Sequence, residues 1–187
     1  MTGLFDRLTA PEGLRHAEDF LSAADETNLL DRFAALEFGE MKMRGVTARR
    51  RVIQYGWHYS FESFRTTEAA PIPRFLFPVR ERAAAFAGLQ LEQLSEALLT
   101  EYAIGATIGW HRDAAPFGTV VGISLGAPCR FRFRRGKTRA WETWELDLQP
   151  RSIYVLEGPA RTEWQHSIPA VKALRYSITF RTMRTKA

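Results

Sequence analysis

The sequence is almost without cysteine: Cys129 is the only one in 187 residues. A single thiol forms no intramolecular disulfide and no cysteine-based zinc finger, which fits a reducing compartment, and a cytoplasmic protein is expected. Long apolar runs are lacking too. No stretch reaches the roughly 20 apolar residues of a membrane helix, and Asp6 and Arg7 interrupt any signal-peptide core at the start. An unexported protein with no membrane partner is expected, and a monomer. There is no internal repeat, no low-complexity tract and no linker rich in Gly and Ser, so residues 1–187 are read as one domain. Two motifs of enzyme chemistry are missing as well: G-x-x-x-x-G-K and H-E-x-x-H do not occur. Phosphate-loop enzymes and zincins drop out with them.

What is present suffices for a large core: hydrophobic residues make up 45%, and 13 Phe and 5 Trp carry much of the apolar volume. The formal charge is +5 and unevenly placed. Lys42, Arg44, Arg49, Arg50 and Arg51 fall together with no acid among them, and Arg130, Arg132, Arg134, Arg135, Lys137 and Arg139 form a second cluster. Such clusters are the footprint of a surface that meets phosphates. A solvated face of a basic protein accounts for the same pattern, so charge alone leaves both readings open.

Two helices are predicted in the first half. Leu29, Leu30, Phe33 and Leu36 recur at helical spacing within 22–36, with Asp25 and Glu26 near the start, where the helix dipole favours acids. The second runs over about 72–87, with Pro73 in its first turn and Gly88 just past its end. From Ala97 onward the chain reads as extended runs at 97–103, 107–111, 119–125, 129–134, 141–148, 152–156 and 175–182, separated by turn signals. The fold class is therefore mainly β with flanking helices, a closed or double-sheet structure with the helices on one outer face. Residues 1 to about 92 are read as an N-terminal support and lid, and about 93–187 as the β core.

Only four histidines are available, His16, His58, His111 and His166. In His111-Arg112-Asp113 the imidazole and the carboxylate are two residues apart, so on a strand they project to the same side and can share a metal. The motif is weak alone, since His16-Ala17-Glu18 matches it as well. His111 is preferred because it ends a strand of the β core, whereas His16 precedes a helix. His166, expected in a loop between the last two strands, supplies a third ligand. Two histidines and one carboxylate form the facial triad of non-haem Fe(II) oxygenases, which leaves positions open for co-substrate and oxygen. Zinc accepts the same donors, but a zinc hydrolase needs a general base nearby and none is marked. Nine residues after His166 comes Arg175, and six later Arg181. A guanidinium on an inward-facing row is costly to bury unpaired and is suited to grip a bound carboxylate; an arginine reaching solvent from a strand end is the alternative.

Taken together, these stretches resemble the AlkB-type branch of the Fe(II)/2-oxoglutarate dioxygenases over roughly residues 14–184. The resemblance rests on Tyr102 to Asp113 (YAIGATIGWHRD), Val121 to Gly126 (VGISLG), Glu163 to Pro169 (EWQHSIP) and Arg175 to Arg181 (RYSITFR). It implies a double-stranded β-helix, or jelly roll, with Fe(II) held by His111, Asp113 and His166, and 2-oxoglutarate and O2 as co-substrates. Arg175 would then pair with the distal carboxylate of 2-oxoglutarate and Tyr102 would hydrogen-bond the same molecule. Arg181 would line the site near the metal-bound end, although six residues of straight strand span about 20 Å, so both arginines reach one ligand only through curvature or long side chains. Two positions depart from the pattern: Thr100 stands where many relatives have Asn, and Ala115 where some carry an acid that helps hold the base. Thr100 can still offer the co-substrate one hydrogen bond.

The resemblance also implies oxidative dealkylation of nucleobases in alkylated DNA or RNA, with succinate, carbon dioxide and formaldehyde released. The substrate side is read from Arg49-Arg-Arg-Val-Ile-Gln-Tyr-Gly-Trp-His-Tyr-Ser. Arg49, Arg50 and Arg51 would attract phosphates while Tyr55, Trp57 and Tyr59 stack on an extruded base; in AlkB-type relatives a Y-G stretch here belongs to a nucleotide-recognition lid. A strand that packs alternate aromatics into the core gives the same spacing. Trp110 is read as core or pocket wall, and Phe131 and Phe133 as core. Two other functions fit the residues: the same oxygenase chemistry on a modified tRNA base, a protein side chain or a small molecule, and a catalytically silent β module that only binds nucleic acid.

Overall fold

The computed structural model describes residues 9–43, 46–60, 63, 65–137 and 140–184, with backbone alone for 41–43 and 46–48. Period-two alternation decides the architecture. In β13 (Arg175–Met183) Arg175, Ser177, Thr179 and Arg181 face a cavity between two sheets, while Ile178 and Phe180 turn to the opposite face and its helix-covered apolar cluster. The neighbours β6 (Glu96–Tyr102) and β8 (Phe117–Leu125) repeat the pattern, with Leu98, Thr100, Tyr102 and Val120 facing the cavity and Ala97, Leu99, Val121 and Ile123 in that cluster. A one-residue slip in any of these strands would exchange polar and apolar faces, so the register is strongly specified.

The larger sheet has seven antiparallel strands in the order β1-β11-β8-β13-β6-β3-β2, where β1 is Leu14–Ala17, β2 Gly39–Met43, β3 Val46–Tyr55 and β11 Ile153–Leu156. The smaller has four, β10-β9-β12-β7, where β7 is Ile108–His111, β9 Cys129–Lys137, β10 Ala140–Leu148 and β12 Gln165–Ile168. The two sheets enclose a second apolar cluster that includes Phe131, Phe133, Leu148, Trp164 and Ile168. This is the expected mainly-β fold with helices over one sheet: α1 (Ala23–Ala34) and α2 (Phe77–Ala87) contribute Leu29, Phe33, Val79 and Ala83 to the cluster on the outer face of the seven-stranded sheet. A third, one-turn helix, α3 (Gly158–Thr162), precedes β12. Among the described residues no helix is long and apolar enough to cross a membrane.

Three readings need correction. The N-terminal half is more than support, because β1, β2 and β3 are three of the seven strands of the large sheet. His166 lies on β12, paired with His111 of β7 and Phe133 of β9, and not in a loop. The segment around Tyr55 is a strand, and Tyr55 packs against the helix-covered core, the alternative its spacing had left open. After Gly56, whose positive φ of 76° makes the turn, a hairpin of β4 (Trp57–Ser60) and β5 (Arg65–Glu68) stands apart as a two-stranded sheet. A Cβ on Gly56 would lie 2.0 Å from the Ser95 carbonyl oxygen, so the turn has no room for a side chain.

Candidate active site

A cavity of about 570 Å³ opens between the two sheets. His111 arrives at the end of β7, Asp113 two residues later, and His166 from the facing position of β12. The two imidazole rings meet edge to face with centroids 4.3 Å apart, and Nε2 of His166 lies 3.5 Å from Oδ2 of Asp113. Nδ1 of His111 is 2.9 Å from the Gly109 carbonyl oxygen, which fixes the ring and leaves Nε2 for other use. Among the described residues no group of three or more His, Cys, Asp or Glu is drawn together at full metal-bonding spacing. The donor chemistry nonetheless fits Fe(II). Burial holds the His166 pKa down at about 3 and lowers that of His111, so both rings are neutral and keep their lone pairs. Burial by itself would raise the Asp113 carboxyl, but Arg181, His166, His111 and Arg161, of which Arg181 counts most, together outweigh the burial and keep the group ionised, well below the usual carboxylate range.

Arg181 explains its own place. Its Nε and NH2 donate to Oδ1 of Asp113 at 2.9 and 2.8 Å, and its NH1 donates to both oxygens of Glu96 at 3.1 and 3.0 Å. Glu96 is fully buried, and this burial lifts its pKa to about 7 against the pull of Arg181. A cation shared between two buried acids fixes the orientation of the aspartate, leaving Oδ2 toward His166. Arg181 was expected near a co-substrate; its described partners are Asp113 and Glu96.

Arg175 is different. It is 1% exposed, yet among the described residues its Nε and NH1 have no hydrogen-bond partner. Its NH2 donates to the Ser124 hydroxyl at 3.3 Å, and its guanidinium also meets the Cys129 thiol and the Tyr102 side chain, whose ring centre is 4.5 Å away. Leaving such donors unpaired costs several kcal/mol, so the pocket is built for an anion to complete it, and a planar carboxylate matches the fork. Tyr102 and Thr100 line the same space, and the Tyr102 hydroxyl is 3.3 Å from Ser177 Oγ. Gly122 leaves the room that the Tyr154 ring fills on the cavity wall: a Cβ there would come within 2.1 Å of it.

The residues expected at the substrate side separate. Arg49, Arg50 and Tyr59 line the cavity, with Tyr59 edge-on to Phe117. Arg51 faces the other side of β3, where its Nε donates to Glu101 at 2.7 Å. Half-buried Tyr55 packs against the helix-covered core, and half-buried Trp57 is not part of the cavity wall. Trp110 is pocket wall, as expected. Of the first basic cluster, Arg44 and the Lys42 side chain lie outside the described residues, as does Arg139 of the second. His16 sits on β1 opposite Tyr154, away from the cavity lining. Sequence reasoning missed Glu96 and Arg161. The buried Arg161 donates to the carbonyls of Ala114, Phe117 and Gly118 and so braces the loop that follows Asp113. Glu96 had one available signal, an acid in register with Arg181 on the adjacent strand.

The model of the 2OG-Fe(II) oxygenase superfamily matches residues 13–181. The chain is 29% identical to an alkylated DNA repair protein ALKBH8 homolog of Arabidopsis thaliana over 84% of its own length and 51% of the relative's. It is 33% identical to the DNA oxidative demethylase ALKBH2 of Mus musculus over 67% of its length and 57% of that protein's. The chain thus spans only half to three-fifths of these relatives. The solved structure of OsALKBH1 superposes with a TM-score of 0.70 at 16% identity, covering 93% of this chain and 98% of that one, and shares its fold. With the jelly roll, the His-Asp-His cluster and the family match over nearly its whole length, the chain belongs to the 2OG-Fe(II) oxygenase superfamily, in its AlkB-type branch, whose chemistry uses Fe(II), 2-oxoglutarate and O2.

Proposed function

We propose that the protein oxidatively removes alkyl groups from nucleobases in DNA or RNA. The observation that carries this reading is one cavity lined together by a buried guanidinium with donors that have no partner among the described residues, a His-Asp-His set, and Arg49, Arg50, Tyr59 and Phe117. Arg175 binds the distal carboxylate of 2-oxoglutarate, and Tyr102 and Thr100 supply hydroxyls beside it. His111, Asp113 and His166 hold Fe(II), with Arg181 and Glu96 fixing the carboxylate. When bound, the iron and 2-oxoglutarate supply the oxidation of a carbon–hydrogen bond on the alkyl group; an N-methyl group so hydroxylated is lost as formaldehyde. Arg49 and Arg50 offer charge to flanking phosphates, and Tyr59 and Phe117 offer flat walls to an extruded base. Arg51, bound to Glu101, has no part in this contact.

The test is turnover of a panel of alkylated oligonucleotides with Fe(II) and 2-oxoglutarate, reading succinate and formaldehyde against an Asp113→Ala control. Stoichiometric release of both products by the natural sequence and background from the variant is the expected result. Succinate without formaldehyde from every oligonucleotide would keep the oxygenase and reject the nucleobase. Background signals from both proteins would reject the activity.

A further inference from the structure

The outer face of the four-stranded sheet carries an aromatic and cationic ladder that the cavity does not use. Trp110 precedes His111 on β7, so by strand alternation it points away from the imidazole. Arg132 and Arg134 stand over its ring at 5.1 and 4.5 Å, and on its far side Arg134 stands over Trp141 at 4.2 Å. Trp141 is 40% exposed. Beside the ladder a groove is lined by Trp110, Arg132, Phe133, Thr143, Trp144 and Glu145, and Trp110 lines the catalytic cavity as well. The ladder therefore begins at the mouth of the active site and crosses the sheet toward the β10 edge.

Ion pairing divides the arginines of β9 into two kinds. Arg130 approaches Glu145 and Asp147 at 3.8 and 3.9 Å, and Arg135 binds Glu142 and Glu163 at 2.8 and 2.9 Å. Acids of β10, with Glu163 ahead of β12, thereby sit against Arg130 and Arg135. Arg132 and Arg134 instead spend only Nε, on the Ser167 hydroxyl and the Gln165 side-chain oxygen, and among the described residues neither has a carboxylate partner. Both guanidiniums are thus held flat by a side-chain hydrogen bond and an indole while their terminal amino groups keep their donors and their charge.

We infer that this face binds the unpaired strand that flanks the reacting base, its bases stacking on Trp110 and Trp141 and its phosphates meeting Arg132 and Arg134. Rigid indoles next to uncompensated guanidiniums are the combination that recognises single-stranded nucleic acid with little regard to sequence. A duplex hides the faces of its bases, so an unpaired strand is the occupant. The inference rests on the proposed nucleobase substrate and extends it from one nucleotide to a track.

The experiment measures affinity, by anisotropy, for a 12-residue single-stranded oligonucleotide and for a trinucleotide with the same central alkylated base, each as deoxyribo and ribo forms. The proteins are the natural sequence, the double variant Arg132→Gln with Arg134→Gln, Trp141→Leu, and Arg130→Gln as the ion-paired control. The double variant should weaken the 12-mer by roughly tenfold or more and lower the slope of log affinity against log salt by about 1.4, two single-strand phosphate contacts. Trp141→Leu should weaken the 12-mer without changing that slope, and the trinucleotide should be indifferent to both changes. Equal losses with Arg130→Gln, or none with the double variant, would overturn the track and leave the nucleobase reading standing. A natural protein that binds neither length would overturn both. A folding defect in the double variant does not shield the proposal, because Trp141→Leu tests the stacking half alone.

Discussion

At the scale of single residues, the cluster Glu96-Arg181-Asp113 carries the sharpest consequence. Asp113 owes its orientation, and part of its charge, to Arg181, and Arg181 is balanced in the interior by Glu96. Partners that orient a metal-bound carboxylate are worth about 10- to 100-fold in metal affinity. Glu96→Gln keeps the volume and removes the charge, leaving the guanidinium to Asp113 alone. The variant should bind Fe(II) about tenfold more weakly in an anaerobic titration, with 2-oxoglutarate affinity less affected because Arg175 is untouched. Unchanged iron affinity would show that Glu96 only fills space. The contrast between these residues also shows what sequence reasoning reaches. His111, Asp113, His166 and Arg175 were legible because each sits in a short motif of fixed order. Glu96 was not, since its role exists only once β6 lies beside β13 and sets it against Arg181. Arg51 was misplaced for the same reason: its acid, Glu101, is 50 residues away and adjacent only across the β3–β6 pairing.

At the scale of elements, the helices and most strands from Ala97 onward were readable, while β12 and the strands before Ala97 were not. Helix α1 has apolar spacing and a capping box in which Ser22 Oγ accepts from the Asp25 backbone N–H and the Asp25 carboxylate accepts from the Ser22 N–H. Helix α2 ends at Gly88, whose φ of 71° gives the left-handed cap. By contrast β1, β4, β5 and β12 have four residues each, where alternation shows little; β7 and β11 are as short and were read from the turn signals that bound them. Which arginines of the second basic cluster are ion-paired was not legible, because the acids that meet Arg130 and Arg135 on β10 do so only across the strand pairing. The capping box makes a pH prediction. The Ser22 hydrogen bonds, chiefly that with the side chain, and then Arg82 of α2, lower the Asp25 pKa below its ordinary 3.8. Because the folded value is depressed, the stabilisation is complete above the unfolded value and is lost as pH falls through the folded one. Ser22→Ala should cost about 1 kcal/mol at neutral pH. Its deficit in denaturant unfolding should shrink as the pH drops below 3.8. A deficit that stayed constant into acid would mean that the serine acts without the aspartate.

At the scale of the whole molecule, the question is whether the jelly roll stands without the first half of the chain. The sequence pattern suggested a division near residue 92, and the structure argues against independence on two counts. The large sheet would lose β1, β2 and β3, so β6 and β11 would become open edges with unpaired backbone groups. Its outer face would also lose Leu21, Leu29, Phe33, Phe38, Leu76, Val79, Ala83, Ala84 and Ala87, which cover Ala97, Leu99, Val121, Ile123, Leu125, Ile153, Val155, Ile178 and Phe180. Exposing a buried large aliphatic or aromatic side chain costs roughly 1.5–3 kcal/mol. Eight of the nine uncovered residues are of that size, leaving only Ala97, and their combined loss of about 12–24 kcal/mol is as large as or larger than the roughly 5–15 kcal/mol that stabilises a whole domain. A fragment of residues 93–187 should therefore show no cooperative transition in thermal or urea unfolding and should associate through its bare sheet. The complete chain should unfold in one step by far-UV circular dichroism and tryptophan fluorescence alike. A cooperative, monomeric fragment would mean that the N-terminal strands and helices decorate a core already stable without them, and the Glu96–Arg181 pair, which lies wholly inside that fragment, would then be the first place to look for the missing stability.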